Sequence, residues 1–580
     1  MRYLLSALFV LSSLFSFSQL FPAQHYPRDY FRDPLGIPMS LAANFGELRP
    51  NHYHMGLDIR TEKRTNLPVY AAADGYVAHV KIEPAGFGQA IYIVHPNGYT
   101  TLYAHLNQFF PALAAYVKQQ QYARESWSLF LDIPPGLFPV RKGDLIAYSG
   151  NTGGSQGPHL HFEIRSSRDD INHNPLLFGL PVPDDTPPVI LRLAVYDRNR
   201  SVYEQSPLIV PVHKGNPGGS GTPVEYILSA PVIVNSPRVS FAISAFDTQS
   251  GSNNPNGIFQ AILYDREQPV SGFQMDNISY GNTRNINAHI DYKTRATGGP
   301  WLQQLSALPG YAPSIYQTPR PGGLVDLSDG TPHAIRIEVK DANGNTAILQ
   351  YQVQYRMAPV ARTEYPGKMF YPGMLDGYEI PDCAFYIGEK CLYDSVHLNY
   401  AMGPPGLSGA VSAAHAVGEP FIPLQDSLLV RIRLTANIPA GKRDRIVLVC
   451  FAANKKDLAR PQWQGDWASA KFREFGYFQL VEDRQAPQIT TGFRDGANLS
   501  RAGRIVFNVK DNLGSIARVR AELDRSADGR GGQWLCFTND KGLAYVYKFE
   551  EHCPPGKHTL TIIAEDVAGN RAERVFRFVK

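Results

Sequence analysis

The chain of 580 residues is poor in several features that would settle its class at once. It has five cysteines, Cys383, Cys391, Cys450, Cys536 and Cys553, and none before residue 380. None has zinc-finger spacing, which excludes a cysteine-built metal site of that kind. Cys383–Cys391 and Cys536–Cys553 are close enough in sequence for two disulfides, leaving Cys450, inside the apolar run IVLVCFA, as a buried core thiol. Beyond the first residues no segment has about 18 uninterrupted apolar residues, so no spanning helix is expected there. The formal net charge is only +4, too little over this length to argue for a nucleic-acid partner. No coiled coil or long helix stands out, except for a helix-like piece near 110–124. There is no His-Glu-x-x-His, so the glutamate base of many metallopeptidases is missing.

What the chain has in quantity points to β structure. With 50 Gly, 45 Pro and 31 Tyr among many Val, Thr and Ile stretches, it reads as turn-rich and mainly β. It is too long for one core, and about three or four domains are expected. At the start, Arg2 precedes an uncharged apolar run, Leu4 to Phe17, and the small residues around Ser16 and Ser18 suit cleavage near Gln19. This predicts a signal peptide over 1–18, with an uncleaved anchor as the alternative. No cysteine follows the run, so a lipid-modified N-terminus is not expected. The expectation is an exported, periplasmic protein with no transmembrane segment after signal removal; secreted and cell-surface locations are the alternatives.

A region over 40–180 is dense in His, Gly and alternating apolar residues, and the proline-rich PVPDDTPPV from Pro181 closes it. Short strand-like segments follow. Two of them repeat: VKDANGNTA (from Val339) and AEDVAGNRA (from Ala564) share Asp-x-x-Gly-Asn, and DDTPPVI (from Asp184) and DRQAPQI (from Asp483) share their opening. We therefore expect immunoglobulin-like β-sandwich modules over 186–357 and 485–580, with a β-rich module over 358–484 between them.

Three short motifs carry chemistry. In His54-Met55-Gly56-Leu57-Asp58-Ile59, residues two apart share a strand face, so His54, Gly56 and Asp58 point one way and Met55, Leu57 and Ile59 into a core. In His159-Leu160-His161-Phe162-Glu163-Ile164 the same parity sets two imidazoles and a carboxylate opposite three apolar residues. In Thr101-Leu102-Tyr103-Ala104-His105-Leu106 it predicts Tyr103 and His105 on one face, after a hairpin turn at Pro96-Asn97-Gly98. A single His on a strand is ordinary. Three strands each setting one against a clean apolar face offer more imidazole and carboxylate than a core tolerates unless they are paired or hold a metal. A catalytic zinc takes three protein ligands and keeps a fourth position for water; residue type alone leaves iron and manganese open. Surplus histidine could then serve as the base.

These motifs, with Ala73-x-Gly-x-Val77, Lys-Gly-Asp from Lys142, Gly-Asn-Thr-Gly from Gly150 and Gly157-Pro158-His159, resemble the lysostaphin/LytM-type peptidoglycan endopeptidases in order and spacing over about 45–165. The resemblance implies a compact antiparallel β core with one zinc in an open groove, held by His54, Asp58 and His161. It implies that His105 and His159 assist catalysis, one activating water and both steadying the oxyanion. It further implies hydrolysis of stem peptides or cross-links in the bacterial cell wall, with peptidoglycan peptides as the partner; another envelope protein could be held by the sandwich modules. Glu163 is a candidate to orient a ligand, and His52 a candidate for a supporting role.

Two features depart from the family pattern. Asn107 to Leu137 adds roughly 30 residues just after His105, either a lid or wall at the groove rim or a passive insertion. The modules after residue 186 have no counterpart in the minimal family domain. A non-catalytic peptidoglycan-binding regulator or scaffold of wall hydrolases is therefore the rival reading, although such proteins usually lose zinc ligands and all five positions here are filled.

Overall fold

The computed structural model describes residues 20–218, 222–311, 314–359, 364–453, 455–526, 531–542 and 544–580. The expected signal peptide over 1–18 lies outside them. The molecule is mainly β, as expected, and no helix among the described residues is long and apolar enough to cross a membrane.

The first body is built on an antiparallel sheet. Its strands are β1 (Leu41–Ala43), β2 (Leu57–Arg60), β3 (Gly75–Ile82), β4 (Gln89–Val94), β5 (Tyr99–Ala104), β6 (Leu129–Asp132) and β7 (His159–Ser166). They lie in the order β1-β2-β7-β5-β4-β3-β6. In β7, Leu160, Phe162 and Ile164 are fully buried and share one core with Leu57, Ile59, Ile91 and Ile93. That alternation commits His159, His161 and Glu163 to the opposite face. The register then sets His161 directly across from Asp58 of β2 and from Ala104 of β5. The β4–β5 hairpin turns through Gly98, whose φ of +84° is cheap only for glycine.

The insertion folds as α1 (Pro111–Ala123) followed by β6. Pro111 opens the helix at a position whose N–H needs no partner. Leu113, Val117 and Gln121, four residues apart, are its buried stripe. At the other edge, Asn172–His173 pairs both with β7 and with Asn277–Ile278, so the sheet continues into the next body.

Residues 189–355 form two sheets, and residues 376–482 form two five-stranded sheets. One hydrophobic core runs through all four, from Leu193 and Phe241 to Val430 and Phe478, and takes in Phe45, Tyr53 and Met55. Residues 488–579 form a three-stranded and a five-stranded sheet around their own core, which includes Phe507, Tyr547, Ile562 and Phe578.

The expected disulfides are not present: all five cysteines are free and buried. Cys391 Sγ lies 3.3 Å from the Ser427 carbonyl and 3.2 Å from Gly388 N, satisfied as a thiol. Cys383 and Cys450 pack in the large core and Cys553 in the last one, where burial raises their pKa and suits an inert thiol. Sequence proximity alone says nothing of which way the side chains point.

Candidate metal centre

The structure brings the three family-implied ligands together. His54 Nε2, Asp58 Oδ1 and His161 Nδ1 form a triangle with edges of 3.0, 2.9 and 3.0 Å. The partners of the other ring nitrogens fix what these atoms offer. His54 Nδ1 lies 2.7 Å from the Asn44 carbonyl, which can only accept, so Nδ1 carries the proton and Nε2 a lone pair. His161 Nε2 lies 2.8 Å from Glu163 Oε1, which leaves a lone pair on Nδ1. Two nitrogen lone pairs and a carboxylate oxygen within 3.0 Å repel one another unless a cation sits among them. On a tetrahedral zinc with ligands at about 2.0–2.1 Å, donor atoms lie about 3.3–3.4 Å apart, close to these edges. The donor set suits the ion.

Glu163 is the support beneath this triangle. It is fully buried, and burial alone would raise its pKa. The Arg165 guanidinium, with hydrogen bonds from His161 and Tyr280, instead holds it down at about 2. Its Oε1 accepts from His161 and from the Tyr280 hydroxyl at 2.6 Å, and its Oε2 from Arg165 Nε at 2.6 Å and Asn172 Nδ2 at 2.7 Å. A carboxylate on the far nitrogen of a ligating histidine fixes the tautomer and raises ligand basicity. Burial alone would likewise depress His161, but Asp58 and Glu163 flank it and raise it to about 9, so a proton and a metal ion compete for Nδ1, and its lone pair reaches a metal once that proton leaves.

Gly56 is needed for the close approach of two strands. A Cβ there would meet the Phe162 carbonyl at 2.4 Å and Glu163 Cγ at 2.8 Å. Its bare backbone lets β7 and its carboxylate close against the first motif. His54 itself precedes β2, so strand parity does not aim it; the Asn44 contact does.

His105 and His159 flank the triangle, their ring centroids 4.7 Å apart. His159 Nδ1 donates to the Gly157 carbonyl at 2.8 Å and is 3.2 Å from Ser155 Oγ; its Nε2 is 3.3 Å from Asp58 Oδ1. His105 Nδ1 donates to the Thr152 carbonyl at 2.8 Å. Burial, then the neighbouring His161 and His159, push His105 down to about 3, so it is neutral. The parity expected for this motif is off by one. Tyr103 lies in the core against Phe162. His105 reaches the site because it follows β5 with a left-handed φ of +58°, which turns the chain out of strand geometry.

The other histidines close to the motifs have structural partners. His95 is buried between the Asp74 carbonyl and Thr101 Oγ1, and His79 pairs with Asp132 at 2.9 Å. His52 rests against the Pro50 carbonyl at the cleft margin. The cleft holds about 1030 Å³ between Arg49, Phe87, Tyr280 and the 154–159 segment. Sequence reasoning missed Arg49, whose Nη2 is 3.3 Å from Asp58 Oδ2, and missed Asn172 and Tyr280. None sits in a periodic pattern that would have marked it.

The turn carrying Thr152 and Ser155 is held from far along the chain. Gly153 N donates to Asp540 Oδ1 at 2.8 Å, and Lys541 Nζ donates to Asn151 Oδ1 at 3.2 Å and to the Ser155 carbonyl. Beside it, α1 docks on the same C-terminal body: Lys118 pairs with Glu550 at 2.9 Å, Tyr122 stacks on His552 at 3.6 Å, and Glu125 pairs with Arg520 at 2.6 Å. The insertion helix is thus a docking face rather than a free flap.

The family model for Peptidase family M23 matches residues 52–123 and 138–173, the stretch that holds all five positions. The chain carries an M23 peptidase domain. A second model, the Zu5-like domain, matches residues 373–483. Over 133 residues the chain is 35% identical to the DD-carboxypeptidase/endopeptidase Mpg of Neisseria meningitidis serogroup B, covering 23% of this chain and 24% of that protein. Over 143 residues it is 30% identical to the peptidoglycan DD-endopeptidase ShyA of Vibrio cholerae serotype O1, covering 24% and 27%. The chain thus spans about a quarter of the length of these curated relatives, within the M23 region. The solved catalytic domain of lysostaphin from Staphylococcus simulans aligns at 22% identity and a TM-score of 0.18, over 23% of this chain and 87% of that one.

Proposed function

We propose that this chain is an exported zinc metalloendopeptidase that hydrolyses peptide bonds in bacterial peptidoglycan stem peptides or cross-links. The observation that carries the reading is the convergence of three lone-pair atoms from His54, Asp58 and His161 inside an M23 domain, with two further imidazoles beside them. The names of the relatives, both peptidoglycan or DD-peptidases, support the substrate class. We retain the expected division into 40–180, 186–357, 358–484 and 485–580 as part of the proposal.

His54, Asp58 and His161 would hold the zinc, which when bound supplies Lewis acidity to water and to the scissile carbonyl. The chain's own groups do the rest. Carbonyls on Nδ1 fix the tautomers of His105 and His159, so each ring offers an unprotonated Nε2 to the cleft. Whichever ring takes the proton from the attacking water becomes a cation beside the developing oxyanion. Base catalysis of this kind is worth about 10²–10⁴-fold. The cleft, walled by Phe87 and Tyr280, accepts an extended peptide.

Release of muropeptides from purified peptidoglycan tests this, with zinc, with a chelator, and with His161→Ala. Cleavage lost in both controls is the expected result. No cleavage by intact, zinc-loaded protein would refute the enzyme and favour the regulator reading.

A further inference from the structure

The two repeats noted in the sequence converge in space. Asp184, Asp247 and Asp341 bring one carboxylate oxygen each to within 4.8 Å of one another, and Asp483, Asp511 and Asp566 do the same in the C-terminal body. The placement is equivalent. Asp184 and Asp483 precede the first strand of their bodies (Val189–Asp197 and Gln488–Thr491). Asp247 is the last residue but one of a strand (Arg238–Thr248) and Asp511 follows another (Arg504–Lys510). Asp341 and Asp566 each open an Asp-x-x-Gly-Asn turn. The closing asparagines make the same bonds: Asn345 Nδ2 to Asp341 Oδ2 at 2.6 Å and the Asp184 carbonyl at 3.3 Å, and Asn570 Nδ2 to Asp566 Oδ2 at 2.9 Å and the Asp483 carbonyl at 3.0 Å.

Internal bonds of this kind describe a well-built loop. What asks for a ligand is the charge left over. Asp247 is 4% exposed, and its Oδ1 is buried with no hydrogen-bond partner. At the equivalent position Asp511 Oδ1 is also buried and unpartnered. The salt bridges among the described residues, counted to 4.0 Å, include none to any of these six carboxylates. Three buried or half-buried carboxylates facing one another without a counter-charge are costly. Burial, then Asp341 and Asp184, push the Asp247 carboxyl up to about 8. A repeated oxygen-only cluster with no histidine or thiol suits a hard cation with flexible coordination, which is calcium before magnesium.

We propose that each body holds one calcium ion, at Asp184/Asp247/Asp341 and at Asp483/Asp511/Asp566, and that the two ions stiffen the junctions where these bodies meet their neighbours. The first cluster opens on a cavity of about 20 Å³ that Leu41, Asn44 and Leu176 of the first body also line. Two residues beyond Asp247, the Gln249 side chain accepts from Leu41 N and donates to the Met39 carbonyl, fastening β1. The second cluster adjoins Val567 and Ala568, which pack on Val447, Val449 and Val481 of the preceding body. This inference is independent of the peptidase reading.

The test is calcium binding to the full chain by equilibrium dialysis with CaCl₂, for wild type, Asp247→Asn, Asp511→Asn and the double variant with both, with thermal melts in chelator and in calcium. We expect two ions per chain, one in either single variant and none in the double variant, with affinity in the range of extracellular modules, about 10⁻⁴–10⁻³ M. Calcium should raise the wild-type Tm and leave that of the double variant unchanged. In chelator each variant should melt at or above wild type, because asparagine relieves the repulsion. A misfolded variant would melt lower, so a lower Tm in chelator would overturn the uncompensated-charge argument. No binding up to about 10 mM, above the weakest such modules, would overturn the proposal, as would a stoichiometry that neither substitution lowers. A loss in only one variant would overturn the other site.

Discussion

Tyr280 reaches the proposed metal centre from outside the M23 domain, and removing its hydroxyl isolates one bond. Tyr280→Phe keeps the ring against the cleft and takes away one of the four residues that donate to Glu163. A hydrogen bond to a charged group is worth about 1.5–3 kcal/mol. Tyr280 as a whole residue is 38% exposed, so water can replace part of the loss, leaving about 1–1.4 kcal/mol, near the lower end for such a bond. That free energy reaches the metal only through Glu163 and the His161 imidazole, and about 1.4 kcal/mol is a tenfold change. Zinc affinity, measured by competition with a chromogenic chelator, should fall about five- to tenfold, at or just below the lower end of the about 10–100-fold typical for partners of metal ligands. With zinc saturating, KM should stay constant because the wall of the cleft is unchanged. An affinity within about twofold of wild type would refute the reasoning, since the bond would then be of no consequence to His161.

Two further substitutions probe the geometry. Gly56→Ala places a methyl group 2.4 Å from the Phe162 carbonyl; neither strand can yield without moving a ligand, so a stability loss of about 1–3 kcal/mol is expected, read as a lower Tm together with weaker zinc binding. Lys541→Ala removes the contacts to Asn151 and Ser155. Because that turn supplies the partners of both His105 and His159, kcat should drop about fivefold, the worth of about 1 kcal/mol, with zinc content unchanged; an unaltered kcat would mean that the C-terminal body does not steady the turn.

The M23 domain was largely legible in the sequence because its information is local. In β7 the period of two separates Leu160, Phe162 and Ile164 from His159, His161 and Glu163, and the structure keeps that separation residue by residue. Where a ligand or its helper lies off a strand, the same rule misleads. His105 is carried past the end of β5 by a left-handed residue, and no alternation pattern contains a φ angle. The disulfide expectation failed for a related reason: closeness along the chain says nothing about the direction of a side chain within a core.

The contacts that sequence could not disclose are the long ones. Tyr280 and Glu163 are 117 positions apart, and Asp540 and Gly153 are 387 apart. Each joins a residue of the M23 domain to a later body, and neither body shares a hydrophobic pattern that would announce the meeting. Yet both contacts end on the groups that orient the histidines: Tyr280 on the carboxylate behind His161, Asp540 on the turn whose Thr152 carbonyl holds His105 and whose Ser155 hydroxyl lies beside His159. A minimal M23 domain would leave Glu163 one donor short and the 151–155 turn free on its outer side. The later bodies therefore do more than extend the chain. They close the supporting shell of the proposed centre, and a truncation after residue 180 should retain the ligand triangle while loosening the two rings beside it.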